Sequence, residues 1–169
     1  MEKIVIVGSS GSGKSTLARQ LSEKLEVPVY HLDQLFWTEN WQPGSQEELF
    51  EKQKQIFESQ PQWIVDGNYT DSFDLRFSYA DTIVFLDLPR YIYFPRIFKR
   101  YFQYFKKVRP DMAAGCEEKM DFEFIQFVWT FKKRRPELIN KLSKLTSEEK
   151  LICLKSPREV KEFIKNIKK

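Results

Sequence analysis

Histidine occurs once in this 169-residue sequence, as His31, so a multi-histidine metal site is excluded by count. Cysteine occurs twice, as Cys116 and Cys153, with no Cys-x-x-Cys and no Cys/His pattern around either. Neither a zinc site nor a disulfide framework is expected, and both thiols read as reduced, as in a cytosolic protein. No apolar stretch approaches the roughly 20 residues that span a bilayer. The chain begins on a strand-like run rather than a charged-then-apolar leader, so a cytoplasmic location is the expectation. Internal repeats and low-complexity tracts are missing too. What remains, with 41% hydrophobic and 31% charged residues, is the balance of a soluble globular chain. Residues 1–169 read as one domain, long enough to bury a core. The net charge of +4 is mild, and its distribution says more than its sum.

Against that background, Gly8-Ser9-Ser10-Gly11-Ser12-Gly13-Lys14-Ser15 follows the apolar run of residues 4–7 and precedes Leu17-Ala18-Arg19-Gln20-Leu21. Strand, glycine-rich loop and helix start come in the order of a phosphate-binding P-loop. Glycines let backbone N–H groups turn inward as a concave nest for an anion. The helix N-terminus adds unpaired donors and positive dipole at the same point. Lys14 is then placed to reach the β- and γ-phosphates, and the Ser15 hydroxyl to coordinate Mg²⁺. A Ser/Gly linker would not open on four β-branched residues. The loop from Gly8 through Ser9, Ser10, Gly11, Ser12, Gly13, Lys14, Ser15 and Thr16 is the expected cradle of a nucleoside triphosphate.

Strand and helix signals alternate along the rest of the chain. Strands are expected over residues 3–7, 27–32, 63–65, 82–86 and 151–154. Helices are expected over 14–25, from the capping box Ser45-Gln46-Glu47-Glu48 to about residue 59, and from a second box, Ser156-Pro157-Arg158-Glu159, to the Lys-rich end. This pattern indicates an α/β protein with a five-stranded parallel sheet and helices on both faces. Ligands of such sheets bind beyond the carboxyl ends of the strands, and Asp33, Asp66 and Asp87 all follow strand ends. The connection from residue 86 to residue 151 is too long for one crossover helix. Residues 90–136 are therefore expected to form a helical lid between the fourth and fifth strands, two helices and a mobile cover.

Asp66 ends an apolar run, as an acid holding Mg²⁺ at the sheet rim must; the plainer reading is a turn aspartate before glycine. Asp33 suits a general base that orients an acceptor hydroxyl, a metal ligand, or a cap for the segment that follows. Asp87, before Leu88-Pro89, reads as structural. Residues 90–109 hold seven basic residues and no acid. At helical spacing Phe94, Phe98, Phe102 and Phe105 share one stripe, and Arg96, Arg100, Gln103 and Lys107 another. Arg96 and Arg100 lie one turn apart, so both guanidinium groups can converge on a triphosphate. The basic-aromatic mix also suits a nucleic-acid platform, although core packing accounts for the aromatics as well. A second aromatic helix over 121–131 runs into Lys132-Lys133-Arg134-Arg135; Arg134 or Arg135 could reach the γ-phosphate when the cover closes, and at least two of the four cations must face water. No arginine occurs between Gln20 and Leu75, a span that instead carries Phe36, Trp37, Trp41, Trp63 and Tyr69. A phosphorylated acceptor is normally held by arginine forks. The span therefore predicts an uncharged or weakly charged acceptor on aromatic faces, with Arg76 the one nearby exception; core or interface packing accounts for the tryptophans equally well.

Over nearly its full length the chain resembles the adenylate-kinase-like branch of P-loop kinases. The resemblance is carried by the P-loop of residues 8–16, Asp66-Gly67, the run from Asp81 to Pro89, and Arg96/Arg100. It implies that Arg96 packs on the adenine, that Arg100 contacts phosphates, and that Lys155-Ser156-Pro157 frames the adenine with backbone atoms. More narrowly, the P-loop with Leu17-Ala18-Arg19, His31-Leu32-Asp33 with Trp37 and Trp41, Trp63–Tyr69 and Leu154–Val160 look like the bacterial "DNA topology modulation protein" (FlaR-like) family, which implies a role near DNA. The Thr-Gly-Asp-x-x-x-Arg acceptor segment of adenylate kinases is absent, and Asn68-Tyr69-Thr70 stands where they carry an arginine, so AMP is not the expected acceptor. No Asn-Lys-x-Asp guanine signature occurs. Together these readings predict an ATP- and Mg²⁺-dependent phosphotransferase with a small, nucleoside-like acceptor. Lys14, Arg96 and Arg100 would act on the phosphates and Asp33 on the acceptor, with the metal at Ser15 and Asp66 and the base near Ser156 and Pro157. The alternative is an ATP-dependent regulator or ATPase acting on DNA through its basic segments.

Overall fold

Ile4, Val5, Ile6 and Val7 are each fully buried, as a strand covered on both faces requires. In the computed structural model, which describes residues 1–167, they belong to β1 (Lys3–Gly8), the centre of a five-stranded parallel sheet. The other strands are β2 (Val29–His31), β5 (Trp63–Asp66), β6 (Thr82–Leu86) and β7 (Leu151–Leu154), in the spatial order β2-β5-β1-β6-β7. A two-stranded hairpin, β3 (Trp37–Thr38) and β4 (Gln42–Pro43), lies outside this sheet. Val5 and Val7 point into one core with Trp63, Phe73, Tyr93 and Phe131. Ile4 and Ile6 point into the other with Leu17, Leu21 and Leu154. Each such buried side chain contributes about 1.5–3 kcal/mol.

The register brings the ends of the strands together. Asp66 is paired with Ile6 on one side and His31 on the other, and Gly8 is level with Leu86. Both expected capping boxes form. Ser45 accepts from the Glu48 N–H at 3.0 Å to open α3 (Gln46–Ser59), and Ser156 accepts from the Glu159 N–H at 3.2 Å to open α8 (Pro157–Asn166). Lys168 and Lys169, at the expected Lys-rich helix end, lie outside the described residues. Helix α1 (Lys14–Leu25) follows the P-loop, and α4 (Phe73–Tyr79) leads into β6.

Four boundaries differ from expectation for local reasons. The second strand is shorter than 27–32, because Leu32 already starts α2 (Leu32–Phe36), packed beneath Gly67. Asp33 therefore sits in the first turn of a helix rather than on a strand end. The hairpin β3–β4 was not legible, because its tip residues Asn40 and Trp41 adopt positive φ without a glycine. The basic stripe ends early: α5 (Arg90–Gln103) stops at Tyr104, where the Lys107 N–H bonds back to the Tyr104 carbonyl and Lys106 takes a positive φ. The next helix divides at Thr130, whose hydroxyl takes the Gln126 carbonyl, giving α6 (Phe122–Trp129) and α7 (Phe131–Leu145). Residues 132–135 thus lie inside a helix instead of following one.

The lid also buries a different face from the one its aromatics mark. Tyr93 and Ile97 are the buried residues of α5, while Phe102 and Phe105 are 75% and 50% exposed. The reason is the P-loop: a Cβ on Gly11 would lie 2.9 Å from the Ile97 methyl. The helix approaches so closely that the glycine itself is part of the contact.

Candidate functional site

The P-loop runs from the end of β1 into α1 with Gly8, Gly11 and Gly13 all at positive φ, which only glycine adopts freely. A Cβ at Gly8 would lie 2.7 Å from the Leu86 carbonyl. The Gly8 N–H is held by Asn68 Oδ1 at 3.0 Å, so the loop after β5 fixes the start of the P-loop. The hydroxyls of Ser9 and Ser12 are buried without a partner, and such orphaned donors fit an anion that the loop is shaped to receive.

Above the loop opens a cavity of about 580 Å³. Its floor is Ser10, Gly11, Ser12, Gly13, Lys14, Ser15 and Thr16. One wall is the lid, through Arg96, Arg100, Arg109 and Asp111, and the other is α8, through Pro157 and Val160. Arg96 reaches the loop itself, donating to the Ser12 carbonyl at 3.3 Å. The Ser156 hydroxyl caps α8, and Pro157 beside it lines the cavity.

Lys14 folds back onto the carbonyls of Gly8 and Ser9 at 3.1 and 3.0 Å. Burial lowers the pKa of its ammonium, and the nearby Asp66 and Asp33 carboxylates partly restore it. The Ser15 hydroxyl donates to Asp66 Oδ2 at 2.7 Å, and Asp66 Oδ1 pairs with His31 Nδ1. A hydroxyl and a carboxylate side by side are hard oxygen donors, which suits Mg²⁺. Burial works against the charge on His31, but the hydrogen bond and charge of Asp66 leave its pKa raised. Asp33 accepts from the Tyr69 hydroxyl at 2.8 Å. Burial raises the Asp33 carboxyl above its ordinary value, against the pull of Tyr69 and Lys14. Lys14, Asp33 and Asp66 thus form one electrostatic group at the rim.

Four residues considered for the site are engaged elsewhere. Arg135 grips Asp87 with two bonds, 2.6 Å to Oδ1 and 2.5 Å to Oδ2, which confirms Asp87 as structural and turns Arg135 from the cavity. Arg134 stacks on the Phe127 ring at 3.7 Å. Arg76 is fully buried and donates to the carbonyls of Gly67 (2.8 Å), Asn68 and Tyr69 (3.0 Å), so it shapes the loop after β5 rather than meeting an acceptor. Trp63 is likewise core, 4.3 Å from the Phe57 ring. Phe36, Trp37, Trp41 and Tyr69 do cluster beside Asp33, with ring centroids 5.2–5.5 Å apart in successive pairs.

Sequence reasoning missed Arg109, Asp111, Glu118 and Asn68. Glu118 is buried between two lid arginines, 2.9 Å from Arg100 and 2.5 Å from Arg109, and Arg109 also pairs with Asp111 at 2.9 Å. The run of bases over 90–109 gave the cations, but the acids that answer them come later, from a loop that doubles back through a Glu118 N–H to Lys107 carbonyl bond. The loop is fastened to the aromatic segment by Gln34 to the Pro110 carbonyl (2.6 Å) and Trp41 to the Glu117 carbonyl (2.8 Å).

The AAA-domain family model matches residues 4–102. No curated protein matches the chain by sequence. Among solved structures, shikimate kinase from Bacteroides thetaiotaomicron is similar over 96% of this chain and 93% of its own, with 18% identity and a TM-score of 0.54. A gluconokinase from Sinorhizobium meliloti 1021 is similar over 97% and 87%, with 17% identity and a TM-score of 0.52. An uncharacterized protein from Eubacterium ventriosum ATCC 27560 is similar over 96% and 92%, with 13% identity and a TM-score of 0.55. At these identities the likeness is one of fold: an α/β, P-loop kinase-like architecture. Among the described residues, no helix is long and apolar enough to cross a membrane.

Proposed function

The chain belongs to the AAA-domain family, and from that premise we propose that it binds Mg·ATP above the P-loop and transfers the γ-phosphoryl group to a small, uncharged, nucleoside-like hydroxyl acceptor. The observation that carries this reading is the grouping of Lys14, Asp33 and Asp66 at one rim, with each aspartate close enough to act on the Lys14 charge. Asp33 adds to the lysine and the metal acid a second carboxylate, buried and held by a tyrosine, where a base for an attacking hydroxyl would stand.

In this reading the acceptor oxygen attacks the γ-phosphorus while its proton passes to the Asp33 carboxylate. The bond from the γ-phosphorus to the bridging oxygen breaks, and ADP leaves with that electron pair. The raised pKa of Asp33 makes its carboxylate a better proton acceptor than an ordinary aspartate. Lys14, Arg96 and Arg100 answer the charge on the transferring group. A Mg²⁺ ion held through Ser15 and Asp66 would offset charge on the β- and γ-phosphate oxygens. The rings of Phe36, Trp37 and Tyr69 offer flat apolar faces beside Asp33, and the nearby Arg76 is engaged by the carbonyls of residues 67–69 rather than free for a phosphorylated acceptor. Substrate-dependent ADP release from a panel of nucleosides and other neutral alcohols tests the reading. It fails if ATP binds but no acceptor raises ADP release above the rate in water.

A second reading, an ATP-dependent regulator acting on DNA as the FlaR-like resemblance implies, has one observation in its favour. Tyr91, Phe102, Phe122 and Trp129 are all exposed on the lid, and Arg90 lies 3.8 Å from the Trp129 ring centroid. Exposed rings with cations suit single-stranded nucleic acid. A DNA titration at two salt concentrations separates the readings, since tight binding with a steep negative salt slope belongs only to the second.

A further inference from the structure

Glu118 does not line the nucleotide cavity, yet two of the arginines that do, Arg100 and Arg109, are paired with it. Its side chain is only 2% exposed, set behind the wall that they form. Arg100 Nε donates to Glu118 Oε1 at 2.9 Å, and Arg109 Nε lies 2.5 Å from Glu118 Oε2. The two arginines do not depend on it equally. Arg109 also donates to Asp111 at 2.9 Å, whereas Arg100 is paired, among the described residues, with no other carboxylate. Beyond Glu118 its guanidinium has the Phe124 ring, with the centroid 5.6 Å away. Burial and the neighbouring Arg109 both work against the charge of Arg100, and Glu118 opposes them.

We propose that Glu118 is a positioning residue, which holds the Arg100 guanidinium in the orientation that meets the terminal phosphate of the bound nucleotide. Glu118 takes the Nε–H, and a phosphate can be gripped by the Nη nitrogens at the end of the guanidinium fork. One bond therefore fixes the group and leaves that end to a ligand. The acid is itself fixed in place. Its N–H bonds to the Lys107 carbonyl at 2.9 Å, and the adjoining Glu117 carbonyl accepts from Trp41 Nε1 at 2.8 Å. Cys116 Sγ donates to the Thr38 carbonyl at 3.1 Å, so the β3–β4 hairpin anchors the loop that carries Glu118. Stability alone is a weak reason for the pair, since a buried ion pair gains little over apolar residues of similar volume.

The inference rests on the proposed function only in needing a nucleotide whose terminal phosphate meets Arg100. The test titrates the full chain by calorimetry with ADP and with adenylyl imidodiphosphate, a non-hydrolysable ATP analogue, each with Mg²⁺. Glu118→Gln should bind the analogue about tenfold more weakly than the parent, the factor that one weakened charge-assisted hydrogen bond supplies. ADP, which lacks the terminal phosphate, should bind as it does to the parent. Added to Arg100→Ala, Glu118→Gln should weaken the analogue no further, because the acid acts through that arginine. Glu118→Asp keeps the charge but withdraws it, so it should show a smaller loss of the same kind; this variant decides the matter should Glu118→Gln fail to fold. An equal loss for ADP and analogue, as general damage to the lid would give, overturns the assignment. So does an unchanged analogue affinity in the deciding variant, or a further loss on top of Arg100→Ala. A parent that fails to bind the analogue overturns the nucleotide reading itself, whereas a parent that binds it, with any of those three results, overturns the role of Glu118 alone.

Discussion

Tyr69 donates its hydroxyl hydrogen to Asp33 Oδ1 at 2.8 Å, joining the loop after β5 to the first turn of α2. The bond holds the acid in place without neutralising it, and burial keeps the Asp33 pKa raised even so. This has a consequence for stability. In the unfolded chain an aspartate ionises near pH 4, so between that value and the raised folded one the native state retains a proton that the unfolded state releases. The stability linked to Asp33 is fully present below about pH 4 and is lost as pH rises through the folded value.

Asp33→Asn removes the titration and keeps an oxygen for Tyr69. Its melting temperature should match the parent's near pH 4 and exceed it at pH 8, while phosphoryl transfer is lost. Circular dichroism melts across that range decide the matter. A variant less stable than the parent at pH 8 would show that ionised Asp33 stabilises the fold.

Lys14→Ala removes a buried ammonium that bonds to the Gly8 and Ser9 carbonyls. Turnover should fall by on the order of 10²–10³ or more, the size typical for loss of one preorganised donor, with the fold intact by circular dichroism. Turnover like the parent's would refute the role given to this lysine.

Arg135→Ala separates a structural cation from a catalytic one. The Asp87 carboxylate is 7% exposed and loses both guanidinium bonds, but Arg135 itself is partly in solvent, so screening reduces the cost to about 1–2 kcal/mol. The melting temperature should drop while ATP affinity, read by isothermal titration, stays unchanged. A selective loss of ATP affinity would return Arg135 to the phosphates.

Legibility followed the range of the interactions. The P-loop, the five strands and both capping boxes were readable because glycine conformations, β-branched runs and the Ser-x-x-Glu box act over a few residues. Asp66 was readable because a strand end at the rim needs only its own sequence. The places of Arg135 and Arg76 were not readable, because their partners, Asp87 and the carbonyls of residues 67–69, are fixed by tertiary packing. The same limit hid Glu118: an acid nine residues beyond Arg109 answers that arginine only because the chain reverses between the two, returning the Glu118 N–H to the Lys107 carbonyl. The aromatic stripe of α5 misled for a different reason. Its period was right, but the close approach of Gly11 selected Tyr93 and Ile97 as the buried face.

Arg76→Met tests the loop that carries Asn68 and Tyr69. Three carbonyls lose a buried donor, at a cost of about 3 kcal/mol in total, measurable by urea unfolding. Because Asn68 holds the Gly8 N–H at 3.0 Å, nucleotide affinity should weaken as well. Arg76→Lys should recover part of the stability, since one ammonium reaches fewer carbonyls than a guanidinium. A stability loss with ATP affinity untouched would break the proposed link from Arg76 through Asn68 to the P-loop.

Gly11 and Gly13 differ in what surrounds them, and that difference is measurable. Both have positive φ, at 78° and 100°, so alanine at either is strained by about 1–2 kcal/mol. At Gly13 a Cβ would meet only the Arg96 guanidinium, at 3.7 Å, so Gly13→Ala should cost little beyond that strain. At Gly11 it would run into the Tyr93 carbonyl and the Ile97 methyl, both on the buried face of α5. The helix must move away from the P-loop, carrying Arg96 and Arg100 with it. Gly11→Ala should therefore lose several times more stability in urea unfolding and bind ATP far more weakly than Gly13→Ala. Equal losses at the two positions would mean that α5 does not rest on the loop, and that the lid arginines owe their position to something else.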